Sequence, residues 1–133
     1  MNLSPYLNFN GNCEEAFRFY EKHLGGKIEA IHRFGGSPME SQLPPEWRDK
    51  VMHIRMTVGD AVLMGSDAPE GRFQSPQGFS VSLNLTDPAE ADKVYEALSA
   101  NGTVHMPIQK TFWAKRFAML IDAFGTPWMI NCE

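Results

Sequence analysis

The residues best suited to chemistry in this sequence lie on predicted strands. His53 and Arg55 alternate within Val51–Val58, so a strand there presents both side chains on one face. His53 could act as a donor or a base near neutral pH, or it could be a hydrogen-bonded, half-buried histidine. Arg55 could hold a carboxylate or phosphate through two hydrogen bonds, or it could pair with an acidic residue on a neighbouring strand.

A second group lies in Thr111–Asn131, whose apolar flanks and central turn predict a β-hairpin. Trp113 and Arg116 suit an anionic or planar ligand through charge and cation–π contact. Alternatively, Arg116 pairs with Asp122, and we expect Asp122 itself to shape the turn rather than to act as an acid. Trp113 and Trp128 are also typical of a protein core or a dimer interface.

Polar and apolar side chains alternate along two further segments. The polar face carries Tyr6 and Asn8 in Ser4–Phe9, and it begins with Ser80 in Phe79–Thr86. A sheet with helices on its apolar face and solvent on its polar face could form a cup for a small ligand. The candidate ligand-binding residues are Tyr6, Asn8, His53, Arg55, Ser80, Trp113, Arg116 and Met129.

The elements that position these residues form a repeat. Asn12 is expected to cap a helix over Cys13–Leu24, and Asp87 a second helix that runs to about Ala100. The helical segments 15–21 and 90–96 share four of seven residues, and each half of the chain reads as strand, helix and three strands.

This pattern predicts an α+β fold of two tandem βαβββ modules that form one curved mixed sheet. We expect a single domain, 1–133, with a first module at 1–66, a linker at 67–78 and a second module at 79–133. The proline-containing segment Gly35–Lys50 is predicted to be a long loop.

Composition excludes several classes of partner. The 133-residue chain has a net charge of −4 and no basic stripe, which argues against binding to nucleic acids or to anionic membranes. It has no apolar run of about 18 residues and no signal peptide, so we expect a cytoplasmic protein. Cys13 and Cys132 are expected to be reduced structural thiols, with a reactive Cys13 at the helix N-terminus as the alternative.

Five short motifs carry a family resemblance: Pro5–Asn12, Ala16…Phe19-Tyr20, Leu24-Gly25, Thr111–Ala114 and Asp122–Asn131. They resemble those of the PhnB-like branch of the vicinal oxygen chelate superfamily, which includes glyoxalase I, bleomycin-resistance proteins and extradiol dioxygenases. The resemblance covers nearly the whole chain and implies the glyoxalase/bleomycin-resistance fold and a homodimer, but no particular substrate. Members of the branch have also carried a demethylubiquinone methyltransferase label, for which this sequence shows no glycine-rich nucleotide loop.

The resemblance also implies where a metal ion would bind. Superfamily enzymes hold one ion in the cup, and their ligand positions fall here on Ser4 or Pro5, on Ser80 and on Met129, with His53 near the remaining position. Serine, proline and methionine are poor ligands for zinc or for a hard cation. We therefore predict no cofactor, with a divalent metal ion as the alternative.

Three functions remain open at this point. The first is a metal-free protein that binds a small molecule, of the sequestering or resistance type. The second is a lyase, isomerase or dioxygenase-like enzyme that uses a divalent metal through a non-standard site around His53. The third is a structural dimeric module with a filled cup, in which the Trp-rich hairpin and the Gly35–Lys50 loop serve assembly.

Overall fold

The computed structural model describes residues 1–69 and 71–133. The chain divides into two compact units, residues 1–74 and 75–133. Each unit contains a strand, a helix and three further strands in that order, which confirms the predicted α+β fold of tandem βαβββ modules. No helix within the described ranges is long and apolar enough to cross a bilayer.

The elements agree with the sequence patterns to within two residues at most ends. The first unit contains β1 (Tyr6–Phe9), α1 (Cys13–His23), β2 (Lys27–Arg33), β3 (Val51–Val58) and β4 (Ala61–Asp67). The second contains β5 (Val81–Leu85), α2 (Pro88–Ser99), β6 (Thr103–Gln109), β7 (Arg116–Ile121) and β8 (Pro127–Cys132). The predicted loop between β2 and β3 includes two short 3-10 turns, Glu40–Gln42 and Pro45–Trp47.

The strands form two sheets rather than the single sheet that the sequence predicted. Their orders are β1-β4-β3-β2 and β5-β8-β7-β6. In each sheet the first strand of the module lies parallel to the last, with Tyr6 opposite Met64 and Val81 opposite Trp128. Because each first strand pairs inside its own module, the described strands form one four-stranded sheet per unit.

One face of each sheet packs on a helix, as the alternation predicted. Leu7 and Phe9 are buried, whereas Tyr6 and Asn8 on the other face are exposed. Helix α1 approaches β4 so closely that a Cβ at Gly65 would lie 2.8 Å from a ring carbon of Phe17. In the second sheet the helix-facing residues are Val81, Leu83, Ala118, Leu120, Trp128 and Ile130.

The predicted side-chain cap of α1 is wrong. The Asn12 side chain makes no capping hydrogen bond. The buried Asp67 carboxylate at the end of β4 accepts hydrogen bonds from the backbone N–H groups of Gly11 and Cys13, at 2.9 and 3.0 Å. A residue distant in sequence thus takes the role that was expected of a local one.

The predicted cap of α2 is confirmed. The Asp87 carboxylate accepts a hydrogen bond from the Ala89 backbone N–H at 3.0 Å, and Pro88 occupies the first helical position. Here the capping residue and the donor are neighbours in sequence, so the local pattern was sufficient.

Candidate functional site

The face of the first sheet that is not covered by α1 is mostly polar, and we call it the open face. Strand register places Tyr6, Met64 and Arg55 in one row, with Asn8 and Ser66 in the next. His53 shares the face of Arg55 by strand alternation, and His32 is its partner on β2. The open face therefore carries Tyr6, Asn8, His32, His53, Arg55, Met64 and Ser66.

Three rings form a row across the open face. The Tyr6 hydroxyl lies 3.0 Å from Nδ1 of His53, and the two rings stack with centroids 5.7 Å apart. The His32 ring stacks beside that of His53, with centroids 6.2 Å apart and planes 23° from parallel. The sequence suggested no partner for His32, since only the β2–β3 register brings the two histidines together.

The first unit contains a cavity of about 380 Å³ at the end of the open face. This volume lies within the range of about 300–1,000 Å³ that is typical of small-molecule sites. Its lining residues are Asn8, Phe34, Met39, Met52, Ser66, Asp67, Ala68, Pro69, Arg72 and Gln74.

The cavity lining combines apolar groups, hydrogen-bonding groups and one cation. Phe34, Met39 and Met52 supply the apolar surface. The Ser66 hydroxyl donates to Oδ1 of Asn8 at 3.4 Å, so the amide N–H₂ of Asn8 is left for other partners. Arg72 is exposed and makes no ion pair with any described residue.

Sequence analysis found Asn8 but missed Arg72 and the apolar wall. Met39 belongs to the long loop before β3, and Arg72 belongs to the predicted linker. Long loops in compact domains are often functional, and that was the available signal. Nothing in the local sequence says that these two segments meet at one cavity.

Arg55 lies on the open face and is exposed, with no ion pair to any described residue. The alternative of a neighbouring acidic partner therefore has no support within the described ranges. His53 is half-buried and hydrogen-bonded to Tyr6, which is one of the two possibilities that the sequence left open.

The second-unit candidates do not converge on one cavity. Arg116 lies opposite Cys132, and its Nε donates to Oδ1 of Asp92 on α2 at 2.9 Å. The alternative of an Arg116–Asp122 pair is wrong, because Arg116 begins β7 and Asp122 follows its last residue, so the two lie at opposite ends of the strand. A cation already bonded to a helix carboxylate is less available to a ligand.

Asp122 shapes the turn between β7 and β8, as predicted. One carboxylate oxygen accepts hydrogen bonds from the backbone N–H groups of Phe124 and Thr126, at 2.9 and 3.0 Å. The other accepts the indole N–H of Trp128 at 2.8 Å. Trp128 is 1% exposed and forms part of the core, which is one of the two roles expected of it.

The remaining second-unit candidates lie at different places. The Trp113 indole N–H donates to Oδ1 of Asn131 at 3.3 Å, and the residue is 44% exposed. Met129 lies on β8 between Ser82 and Met119. Ser80 lines a separate cavity of about 200 Å³, together with His105, Met119 and Trp128 among others.

Cys13 is a structural thiol. It is fully buried and unpaired. Burial raises the pKa of the Cys13 thiol far above its ordinary range, and the nearby carboxylates of Asp67 and Glu14 add to the shift. Because the thiolate is the reactive form, the alternative of a reactive Cys13 is not supported.

The residues at the superfamily's metal positions do not fit a metal ion. Ser4 and Pro5 precede β1, Ser80 precedes β5, and Met129 lies on β8. None supplies an imidazole, thiolate or carboxylate ligand. Across residues 1–69 and 71–133, no group of three or more His, Cys, Asp or Glu side chains is placed to hold a metal ion.

Comparison with known proteins decides the family. The family model described as "Glyoxalase/Bleomycin resistance protein/Dioxygenase superfamily" matches residues 3–130. The chain belongs to this superfamily. The two βαβββ modules described above are its glyoxalase/bleomycin-resistance fold.

Two relatives match nearly the whole chain. Protein YjdN of Escherichia coli (strain K12) is 35% identical over 139 residues, covering 98% of this chain and 95% of YjdN. The crystal structure of PA1353 from Pseudomonas aeruginosa is 47% identical, with a TM-score of 0.91 and coverage of 100% and 98% of the two chains.

A Bacillus cereus structure shows the same fold. It is described as a putative 3-demethylubiquinone-9 3-methyltransferase, PhnB protein, and it is 24% identical with a TM-score of 0.84 over 100% of both chains. At this identity the likeness concerns the fold alone.

Proposed function

We propose that this chain binds a small anionic organic molecule in the 380 Å³ cavity of the first unit, without a metal ion at the superfamily's ligand positions. The observation that carries the proposal is the composition of the cavity lining. Three large apolar side chains, the Asn8–Ser66 pair and the Arg72 cation lie around one space of ligand size.

Arg72 differs from three other arginines of the first unit in having no glutamate partner among the described residues, and unlike the equally unpaired Arg55 it lines the cavity. Arg18, Arg33 and Arg48 each lie within 4 Å of a glutamate carboxylate. Arg72 has no such partner among the described residues, and both oxygens of the neighbouring Asp67 accept backbone N–H groups. A guanidinium in this position favours a carboxylate or phosphate, which it can bind through two hydrogen bonds.

The apolar side chains of the cavity indicate what the uncharged part of the ligand would be. Phe34, Met39 and Met52 favour an aromatic or aliphatic body, and methionine side chains adapt to different shapes. Asn8 can donate to a carbonyl or hydroxyl oxygen of the same molecule. The open cavity also argues against the alternative of a cup filled by its own side chains.

Metal independence follows from the donor chemistry. The superfamily positions hold serine, proline and methionine, so a charged ligand would be neutralised here by Arg72. We propose on this ground that the first unit binds its ligand through hydrogen bonds and one ion pair.

The test is ligand binding by the purified full chain, with and without EDTA. A panel of aromatic and aliphatic carboxylates and phosphate monoesters is screened by thermal shift, and the hits are measured by calorimetry. A ligand at 100 times its Kd stabilises the folded state by about 2.7 kcal/mol, which gives a readily measured shift in Tm. We expect binding to survive EDTA and to weaken at least about tenfold in Arg72→Gln, since ion-paired hydrogen bonds contribute about 1.5–3 kcal/mol.

Arg18→Gln is the matched control, because Arg18 is an exposed arginine on α1 outside the cavity. Asn8→Leu removes the amide and adds apolar bulk at the cavity wall, so it should also weaken binding. A panel without any hit, binding that EDTA abolishes, or equal affinity in wild type and Arg72→Gln would each contradict the proposal.

We further propose a cytoplasmic homodimer. Phe112 is 97% exposed and Trp113 is 44% exposed, and exposed aromatic side chains are common at protein interfaces. The two unpaired thiols suit a reducing compartment. Light scattering should give twice the 15.0 kDa chain mass, and the mass of a single chain at micromolar concentration would contradict the dimer.

A further inference from the structure

We propose that His32 and His53 form a binding site for one divalent late transition-metal ion, such as Cu²⁺, Ni²⁺ or Zn²⁺. The site lies on the open face of the first sheet, on β2 and β3. Apart from His53, which lies near one of the superfamily's ligand positions, the site uses none of the residues at those positions. It is also independent of the anionic-ligand cavity, whose residues do not include either histidine.

The first argument is the register of the two strands. His32 and His53 are direct partners across the antiparallel β2–β3 pair, where opposite Cβ atoms lie about 4.5–5.5 Å apart. Their rings are 6.2 Å apart and within 23° of parallel, so both present ring edges on the same side of the sheet. Two imidazoles that point the same way from neighbouring strands can share one ion.

The second argument is that one ring is held and the other is free to adjust. Metal–nitrogen bonds of about 2.0–2.1 Å require the two ligand nitrogens to approach to about 3 Å, so a side chain must rotate to bring them together from ring centroids 6.2 Å apart. His32 is exposed and has no side-chain hydrogen bond or ion pair to any described residue. A rotation of the His32 side chain therefore breaks no hydrogen bond or ion pair with a described residue. His53, in contrast, is half-buried and held by its hydrogen bond to Tyr6.

The third argument is the contact between Tyr6 and His53. When Nδ1–H of His53 donates to the Tyr6 hydroxyl oxygen 3.0 Å away, Nε2 keeps its lone pair for a metal ion. Metal-binding histidines commonly use their second ring nitrogen in this way, which sets the tautomer and orients the ring. Tyr6 is thus a positioning residue of the proposed site.

The surroundings select the kind of metal. The residues that register places beside the pair are Ala30, Arg55, Met64 and Ser66, and none is a carboxylate. Mg²⁺ and Ca²⁺ need several oxygen ligands, whereas imidazole nitrogen suits Cu²⁺, Ni²⁺ and Zn²⁺. The positive charge of the nearby Arg55 disfavours cations that bind only weakly. Water would occupy the coordination positions that the protein does not fill.

The test is a titration of the untagged full chain with Ni²⁺ alone, followed by calorimetry and by equilibrium dialysis. We expect one ion per chain in the wild type, and loss of that ion in both His32→Gln and His53→Gln. His105→Gln is the matched control, because His105 is an exposed histidine in the second unit, and it should bind as the wild type does. Urea unfolding of each variant checks that the fold is retained.

Tyr6→Phe keeps the stacked ring and removes the hydroxyl, so it should lower Ni²⁺ affinity about tenfold, as the loss of an orienting partner does elsewhere. No Ni²⁺ binding by the wild type, equal binding by the wild type and His53→Gln, or an equal loss in His105→Gln would overturn the site. Arg72→Gln should bind Ni²⁺ as the wild type does. A failure of the metal site can therefore be distinguished from a failure of the proposed anion-binding cavity.

Discussion

Asp67 Oδ1 accepts a hydrogen bond from the backbone N–H of Cys13 at 3.0 Å, across 54 residues of sequence. The same oxygen accepts the Gly11 N–H, and Oδ2 accepts the Val51 N–H at 2.9 Å. One buried carboxylate therefore joins the end of β4 to the beginnings of α1 and β3. Asp67 also lines the 380 Å³ cavity.

This arrangement predicts a large effect of Asp67→Asn on stability. The amide replaces one acceptor oxygen with an N–H₂ group, which would face a buried backbone donor. Loss of charge-assisted hydrogen bonds and an unsatisfied donor should lower the free energy of unfolding by about 2–4 kcal/mol, measured by urea denaturation. Asp60→Asn, in the exposed β3–β4 turn, should change it by less than about 0.5 kcal/mol. Similar values for the two variants would refute the role of Asp67.

The Glu14–Arg33 pair predicts a pH-dependent contribution to stability. The hydrogen bonds from Arg33, at 2.8 and 3.1 Å, hold the pKa of Glu14 below its ordinary value of 4.5. Because the pKa is lowered in the folded state, the pair stabilises the fold above pH 4.5. That contribution disappears as the pH falls through the lower, folded-state value.

Arg33→Gln should therefore destabilise the protein at pH 7 and progressively less as the pH falls below 4.5. Both side chains are more than a third exposed, so solvent screening keeps the effect at pH 7 to about 1 kcal/mol or less. Arg55→Gln is the control, because Arg55 has no ion pair with a described residue. The loss of unfolding free energy in Arg33→Gln, relative to this control, should be smaller at pH 3 than at pH 7. If it were equal at the two pH values, the Glu14–Arg33 pair would not be its cause.

Arg116 and Arg72 should behave differently when each is changed to glutamine. Arg116 bonds to Asp92 at the surface of the second unit, with both side chains partly exposed. Its loss should cost less than about 1 kcal/mol of stability and leave ligand affinity unchanged. Calorimetry with a ligand that binds the wild type compares the two variants directly. If Arg116→Gln lost as much ligand affinity as Arg72→Gln, the ion pair with Asp92 would not be the main role of Arg116.

The two thiols should be inert in the folded protein. Cys13 and Cys132 are fully buried, and the raised pKa of Cys13 keeps its thiol protonated. Titration with a colour-forming disulfide reagent at pH 8 should label almost no thiol in the native chain and both thiols in guanidinium chloride. Fast labelling of one thiol in the native state would restore the alternative of a reactive cysteine.

Much of the fold could be predicted because its signals are local. The alternation in β1 identified Leu7 and Phe9 as the buried face, and Asp87-Pro88 marked the beginning of α2. The Asp122 turn was also predictable, since its donors lie two to six residues further along the chain. In each case the interacting groups are close in sequence, so spacing alone brings them together.

The site itself depends on contacts that spacing does not encode. The sequence by itself determined the strand and helix pattern, the tandem modules and the polar faces that carry Tyr6 and His53. Only the tertiary structure decided that Asp67 would cap α1, that His32 would lie beside His53, and that Arg72 would reach the cavity. Strand register and loop path set these contacts, and both result from packing the whole unit rather than from any short segment.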